Sequence, residues 1–322
     1  MLKRELSFLE KYKDVEGIIQ FERSSVTYYN KSRGIAESHE VENDIVVAFS
    51  YDDFMNSAYS RIHGARHQCY ATEEGIKICK KKDGEVVEEI KLNKKNNKPK
   101  ETLPVILATS SKQSLKFIGM YNKLPQIEYI KFLSNPQIVL NNKEMYIWGS
   151  DCIHEYKIAL TPVQNFEGFY YIPCEKCKVL EEFCKGCKEE TLKISINENK
   201  LYIIDGNSFM SISLINGNKE EVIPCYVKVD EEYEFDKEIG KDLKSKLSKA
   251  NKTVKESMEV TMRIDNGDVF LMDEKIFSLK SCITIAKPIS GYKLQRFLQG
   301  ADEDDIYISN NYLRCQNAYF II

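Results

Sequence analysis

The sequence has no apolar run near the roughly 18 residues a membrane-crossing helix needs, so no membrane partner is expected. It also lacks a large charge of either sign. Lys and Arg number 46 against 49 Asp and Glu, a net charge of −3, so no overall basic field draws the chain to nucleic acid. Any grip on phosphates must come from a local basic surface. Neither Gly-x4-Gly-Lys-Ser/Thr nor Gly-x-Gly-x-x-Gly occurs, which removes two common glycine-rich phosphate cradles. The start, Met1-Leu2-Lys3-Arg4-Glu5, is charged and leads into no long apolar run, so no secretion signal is expected. The ten cysteines then read as reduced thiols of a cytoplasm rather than a disulfide framework. Abundant Lys, Asn and Ile fit an AT-rich genome, bacterial or phage.

With 322 residues, 43% of them hydrophobic, the chain can hold two or three domains with real cores. A short helix followed by β-rich segments recurs six times. The helices read as Leu2–Lys13, Asp52–Ala65, Ser111–Lys123, Pro173–Cys187, Gly240–Lys252 and Gly291–Gly300. A repeat near 50 residues points to modules that bury their faces against one another. Between the helices, Asp83-Gly84, Asp205-Gly206 and Asn266-Gly267 supply the positive φ angles of tight hairpins. The fold class is therefore α+β, with antiparallel sheet dominant. Asn93-Lys94-Lys95-Asn96-Asn97-Lys98-Pro99-Lys100 reads as a linker, and a softer boundary falls at Asn216–Glu221. These cuts give 1–100, 101–221 and 222–322, each with two helices. The plainer alternative is an ordinary α+β protein without a repeat.

The helices have two faces when residues are placed at 100° intervals. In the fifth, Leu243 and Leu247 oppose Lys241, Lys244 and Lys252. In the third, Lys112, Lys116 and Lys123 share a stripe opposite Ser114, Ile118 and Tyr121. In the first, Leu6 and Leu9 oppose Arg4 and Lys11. In the sixth, Leu294, Phe297 and Leu298 oppose Arg296. In the fourth, Lys178 and Lys185 lie away from Leu180 and Phe183. The second helix carries acids and histidines instead. A Lys stripe on one helix reads first as a solvated face. Five such helices in an acidic chain read as cations gathered toward phosphates.

Six helix-plus-strands units paired into three domains resemble the bacterial-type DNA sliding clamp, the processivity subunit of replicative polymerases, here bacterial or phage-encoded. The resemblance implies three clamp-like domains, each with two short helices packed on antiparallel sheets. Two subunits would close into a ring with twelve helices lining the hole; a trimer of two-domain subunits is the related alternative. It implies a non-enzymatic protein of DNA replication that needs no cofactor. The ring would encircle duplex DNA without reading sequence and tether a polymerase, with a clamp loader as second partner. The DNA-facing residues would be Arg4, Lys11, Lys112, Lys116, Lys123, Lys178, Lys185, Lys241, Lys244, Lys252 and Arg296. A partner groove by the C-terminal strand would use Val222, Ile223, Pro224, Tyr319, Phe320, Ile321 and Ile322. That tail also reads as a final core strand.

Cys174-x2-Cys177-x6-Cys184-x2-Cys187 is the sharpest local motif, since paired Cys-x2-Cys knuckles suit tetrahedral Zn²⁺. The repeat needs the same segment as its fourth helix, where Cys174 and Cys187 would sit about 20 Å apart. A structural zinc site and a continuous helix exclude each other. The zinc reading makes the chain a zinc-ribbon nucleic-acid-binding or transcription factor. A third reading, a metal-dependent hydrolase, uses His63 and His67 at helical spacing with Asp52 and Asp53, though no Glu completes a zinc-protease motif. Asp151, Cys152 and His154 define no base–nucleophile pair, and Asp302-Glu303-Asp304-Asp305 reads as a solvated turn.

Overall fold

Turn chemistry sets the strands. Asn266 has φ 46° and Gly267 φ 81°, the left-handed pair of a two-residue hairpin turn, and Asp265 pairs with Asp268 across it. A Cβ on Gly267 would lie 2.0 Å from the Ser281 carbonyl oxygen, so glycine is required there. Gly206, at φ 58°, turns the hairpin that pairs Asp205 with Ser208. Lys82 pairs with Glu85 in the third expected hairpin.

The computed structural model describes residues 3–12, 16–42, 46–59, 67–71, 75–82, 85–93, 103–123, 134–141, 144–151, 153–222, 225, 227–228, 230–235, 237–253, 260–301 and 306–322; within 67–93 only the Cys79 side chain is included. The chain forms two compact units. One comprises Met1–Val105 with Ile194–Ser213, the other Ile106–Lys193 with Leu214–Ile322.

In the first unit an antiparallel ladder runs Val47–Ser50, Ile18–Glu22, Ser25–Asn30, Ile35–Glu40, Ser208–Ser213, Lys200–Asp205. A separate three-stranded sheet joins His67–Ala71, Gly75–Lys82 and Glu85–Asn93. The first helix, Lys3–Tyr12, is 3₁₀. Its buried residues Leu6, Leu9 and Tyr12 recur every three positions, the 3₁₀ period. The second begins as α-helix at Tyr51–Phe54 and continues as a π-helix at Met55–Tyr59. The Tyr51 hydroxyl donates to the Leu9 carbonyl at 2.9 Å, and that of Tyr59 to Glu10 at 2.9 Å. These bonds tie the two helices over a Phe21, Phe49 and Phe54 core.

The second unit holds a nine-strand antiparallel ladder: Ile215–Asn216, Gly168–Tyr171, Gln137–Leu140, Met145–Ser150, Glu155–Pro162, Ala318–Ile321, Tyr312–Cys315, Ile306–Ile308, Tyr233–Phe235. Ala108–Ser111 pairs with the far end of Glu155–Pro162, and Glu274–Ser278, Asp268–Leu271, Thr261–Asp265 and Ile285–Ser290 form a separate four-stranded sheet. Four helices form a row. The third, Lys112–Lys116 continuing as 3₁₀ over Phe117–Lys123, packs on the fourth, which starts as 3₁₀ at Cys174–Lys176 and runs α over Cys177–Gly186. Gly119 permits that approach, since a Cβ there would strike the Glu181 side chain. On its other side, Phe117 meets Phe297 of the sixth helix, Gly291–Gly300, at 4.8 Å between ring centres. Asn251 of the fifth, Lys237–Thr253, then bonds Gln295 of the sixth at 2.6 Å.

One buried charge ties the first helix to its sheet. Glu37 is fully buried, with Lys11 Nζ at 2.6 Å from one carboxylate oxygen and His39 Nε2 at 2.6 Å from the other. The Tyr12 hydroxyl donates to it as well. Burial pushes the carboxyl up, but Lys11 and His39 outweigh it and hold it below the usual glutamate range. A depressed carboxyl stabilises the fold above its unfolded value and loses that contribution as pH falls. Unfolding stability is therefore expected to drop below about pH 4, with a flatter slope in Glu37→Gln. Glu37→Ala, which removes the buried carboxylate that Lys11, His39 and the Tyr12 hydroxyl all meet, is expected to cost about 3 kcal/mol by urea denaturation.

Candidate nucleic-acid interface and partner cleft

Three helices of the second unit bring cations to one place. Lys116, Lys185 and Arg296 line a cavity of about 160 Å³ with Glu181 and Gln299. Three cations against one carboxylate leave it positive. Arg296 is half-buried: one guanidinium nitrogen donates to the Gly119 carbonyl at 3.0 Å and another to Asn122 Oδ1 at 3.4 Å. It therefore also fastens the sixth helix to the third. Lys116 Nζ donates to Gln113 Oε1 at 2.8 Å. Lys185 lies 2.6 Å from Glu181, one helical turn earlier, the favourable order for such a pair.

The other expected cations separate into two groups. Lys178, Lys241 and Lys252 are exposed, and Lys244 is half-buried on the same helix as buried Leu243 and Leu247. Lys178 is 4.0 Å from Glu182. Two lysines turn inward. Lys11 is held by Glu37, and Lys112 reaches Glu190 at 3.3 Å and the Cys187 carbonyl at 3.4 Å. The Arg4 and Lys123 side chains lie outside the described residues.

The cysteine segment is a helix. Cys174, Cys177, Cys184 and Cys187 are all buried, on the face shared with Leu180 and Phe183. Cys174 Sγ donates to the Tyr121 carbonyl at 2.9 Å and Cys187 Sγ to the Phe183 carbonyl at 3.3 Å. Burial pushes the Cys177 thiol well up. Among the described residues no three His, Cys, Asp or Glu side chains gather as a metal site. Of the two exclusive expectations for this segment, the structure has the helix, which spreads the four cysteines along its axis. The hydrolase expectation also changes, because His67 opens a strand that pairs it with Lys80, so no helix carries it; His63 lies outside the described residues.

The expected partner residues flank the C-terminal strand. Phe320 is fully buried against Tyr156 at 5.4 Å and Phe297 at 5.7 Å. Of the two expected readings of the tail, the structure has the final core strand: Ala318–Ile321 is an interior strand of the ladder. Its alternate residue, Tyr319, faces the other way into an open cleft of about 670 Å³ that also meets Glu144, Lys157, Glu232, Tyr312 and Arg314. Arg314 makes a two-pronged bond to Glu232, Nε at 2.8 Å and a terminal nitrogen at 2.6 Å. That bond holds the Glu232 carboxyl below its usual range. The Tyr312 hydroxyl also donates to Glu232, at 2.8 Å, and burial with this carboxylate pushes Tyr312 up to about 12. Val222 lines a second cavity of about 500 Å³ beside Val139, Leu140 and Phe169. Ile321 packs on the Trp148 cluster, and the Ile322 amide donates to the Asn311 carbonyl at 2.9 Å. Ile223 and Pro224 lie outside the described residues. Sequence reading missed Arg314 and Tyr312, although Arg314 pairs with Tyr319 in register and strand alternation signals a shared face.

Two tests separate anchoring from surface cations and helix from metal site. Arg296→Ala is expected to cost about 1–2 kcal/mol of stability by leaving the Gly119 carbonyl short of its donor. Lys178→Ala or Lys252→Ala should shift stability by less than about 0.5 kcal/mol. A chelator such as EDTA is expected to leave the melting midpoint unchanged. In native thiol labelling read by mass spectrometry, Cys282, the exposed cysteine among the described residues, should react before the four helix cysteines. A melting point lowered by EDTA would restore the zinc reading.

No protein-family model matches the sequence, and comparison with curated proteins finds no match. In three dimensions the likeness is extensive. DNA polymerase III subunit beta from Borrelia burgdorferi superposes with a TM-score of 0.65 at 15% identity, covering 100% of this chain and 96% of that one. The beta subunit from DNA polymerase of Streptococcus pyogenes gives 0.65 at 14% identity, covering 98% and 96%. A DNA polymerase sliding clamp from Pseudomonas aeruginosa gives 0.63 at 9% identity, covering 99% and 96%. The chain has the fold of these beta subunits and sliding clamps along its whole length.

Proposed function

We propose that this chain is a DNA sliding clamp, a non-enzymatic processivity factor that encircles duplex DNA and tethers a replicative polymerase. The observation that carries the proposal is the row of four helices in which Lys116, Lys185 and Arg296 meet around one positive cavity, on a fold shared with beta subunits along its whole length. Contacts of this kind address phosphates, which carry no sequence information, so a ring can slide. The ring is a homodimer of three clamp-like domains per subunit, 1–100, 101–221 and 222–322. Closure of this kind would also cover sheet edges that otherwise invite aggregation. The cleft beside Tyr319 is the partner groove, where a polymerase or clamp loader docks. No cofactor takes part, and the protein works in the cytoplasm of a bacterium or a phage-infected cell. Among the described residues no helix is long and apolar enough to cross a membrane.

Native mass spectrometry is expected to give twice the chain mass. Loaded onto nicked circular DNA, the ring should stay bound at high salt and slide off once the DNA is cut to a linear form. Reversal of Lys116, Lys185, Lys241 and Lys244 to Glu should lower loading at least about tenfold and reduce its salt dependence, while the circular dichroism spectrum is unchanged. A monomer, or equal retention on circular and linear DNA, would sink the clamp reading.

A further inference from the structure

The cleft beside the C-terminal strand is charged, and the charges are unequally available. It is lined by three carboxylates, Glu144, Asp230 and Glu232, and two cations, Lys157 and Arg314. Both cations are occupied within the protein. The Lys157 side chain is only 10% exposed. Its ammonium donates to the Cys225 carbonyl at 2.9 Å, lies 3.3 Å from Glu144 and sits 4.5 Å above the Tyr146 ring centre. Arg314 bonds Glu232 with two nitrogens and the Gln316 carbonyl with a third, at 3.1 Å. Its guanidinium lies 4.3 Å over the Tyr307 ring. Lys228, on the same wall segment, is exposed but does not line the cleft.

The carboxylates are more open. The Glu144 side chain is 41% exposed and shares Lys157 with a backbone carbonyl. Asp230 accepts from neutral donors: the Asn310 and Asn311 side-chain amides, each at 3.1 Å, and the Glu231 amide at 2.9 Å. These bonds orient its carboxylate without neutralising it. An acidic ligand entering the cleft would meet three carboxylates, and two cations already engaged with two of them, Lys157 with Glu144 and Arg314 with Glu232. A basic one would meet Asp230 and Glu144, with the half-buried Tyr319 ring as the apolar wall, backed by buried Tyr312 at 5.5 Å between ring centres. Charge arranged this way selects partners by repulsion as well as attraction.

We propose that this cleft binds a short partner peptide whose anchor is an Arg or Lys beside an aromatic or aliphatic residue, the cation being held by Asp230 and Glu144. The proposal rests on reading the cleft as the partner groove and adds the chemistry of the partner. A volume of about 670 Å³ lies within the usual range of ligand pockets, about 300–1,000 Å³. The area is small, so the expected complex is weak, and charge should act as much on specificity as on affinity.

The test is display selection from a random peptide library on the full-length chain, followed by fluorescence anisotropy of the recovered peptides. Selected peptides are expected to carry Arg or Lys next to an aromatic or aliphatic residue. Replacing that cation by citrulline or norleucine should weaken binding about fivefold, the upper end for a partly exposed ion pair, and less at high salt. Asp230→Asn and Glu144→Gln should each erase part of that preference while leaving the melting point and DNA retention intact. Recovered peptides without a basic preference, or acidic ones, would overturn the charge selectivity and leave the groove standing. A library that yields no binder, on protein still retained on circular DNA, would overturn both the groove and its selectivity and leave the ring untouched.

Discussion

The second unit depends on where its last strand lies. Ala318–Ile321 pairs with Glu155–Pro162 on one side and Tyr312–Cys315 on the other. It thereby joins strands from the middle of the chain to strands from its end. Strand geometry sends alternate side chains to opposite faces, and here the alternation has two consequences. Phe320 points to the helix layer, where it touches Phe297. Tyr319 points into the cleft. One strand therefore supports both candidate surfaces, the helix row on one face of the ladder and the partner cleft on the other.

A nearly neutral chain can present a positive face only by placing its acids elsewhere. Glu37 is buried under the first helix, while Glu144, Asp230 and Glu232 line the cleft. The cations divide in the same way. Lys11, Lys112 and Arg296 reach inward to carboxylates and carbonyls and hold elements together. Lys178, Lys241 and Lys252 extend outward. On the proposed reading, the outward group and the rim of the three-helix cavity are the expected cations that remain available to phosphates among the described residues. An ion pair such as Lys185 with Glu181 is exposed and weak, so a phosphate can displace the carboxylate at little cost.

Local signals carried much of the architecture. The Asp-Gly and Asn-Gly turns read as hairpins because few residues tolerate positive φ, and five of the helices follow from apolar spacing and fall close to their expected bounds. The second helix is described only to Tyr59. Its π-helical stretch and the 3₁₀ winding of the first were not legible, since both depend on packing. Leu6, Leu9 and Tyr12 show the three-residue period only when Tyr12 is known to be buried. Side-chain direction was less legible still. Lys112 and Lys116 share a stripe on paper, yet Glu190, far along the chain, draws Lys112 away. The cleft was invisible because Glu232, Arg314 and Tyr319 meet through strand pairing, and the same pairing decides between the two readings of Phe320 by turning it inward.

The cysteine-rich helix clarifies why the sequence carries no diagnostic motif. Its four cysteines occupy positions that need only small, apolar side chains, and buried cysteine meets that need. The same tolerance holds on the outer face, because a backbone phosphate asks for a long cationic arm within reach and not for a residue at one position. Encirclement, on the proposed reading, places the demand on the ring and leaves individual contacts interchangeable. A chain under those constraints must keep burial periods, hairpin turns and strand pairing, while most residue identities remain free. The combination found here, near-complete coverage of beta-subunit structures at 9–15% identity, is what such a division of constraint produces.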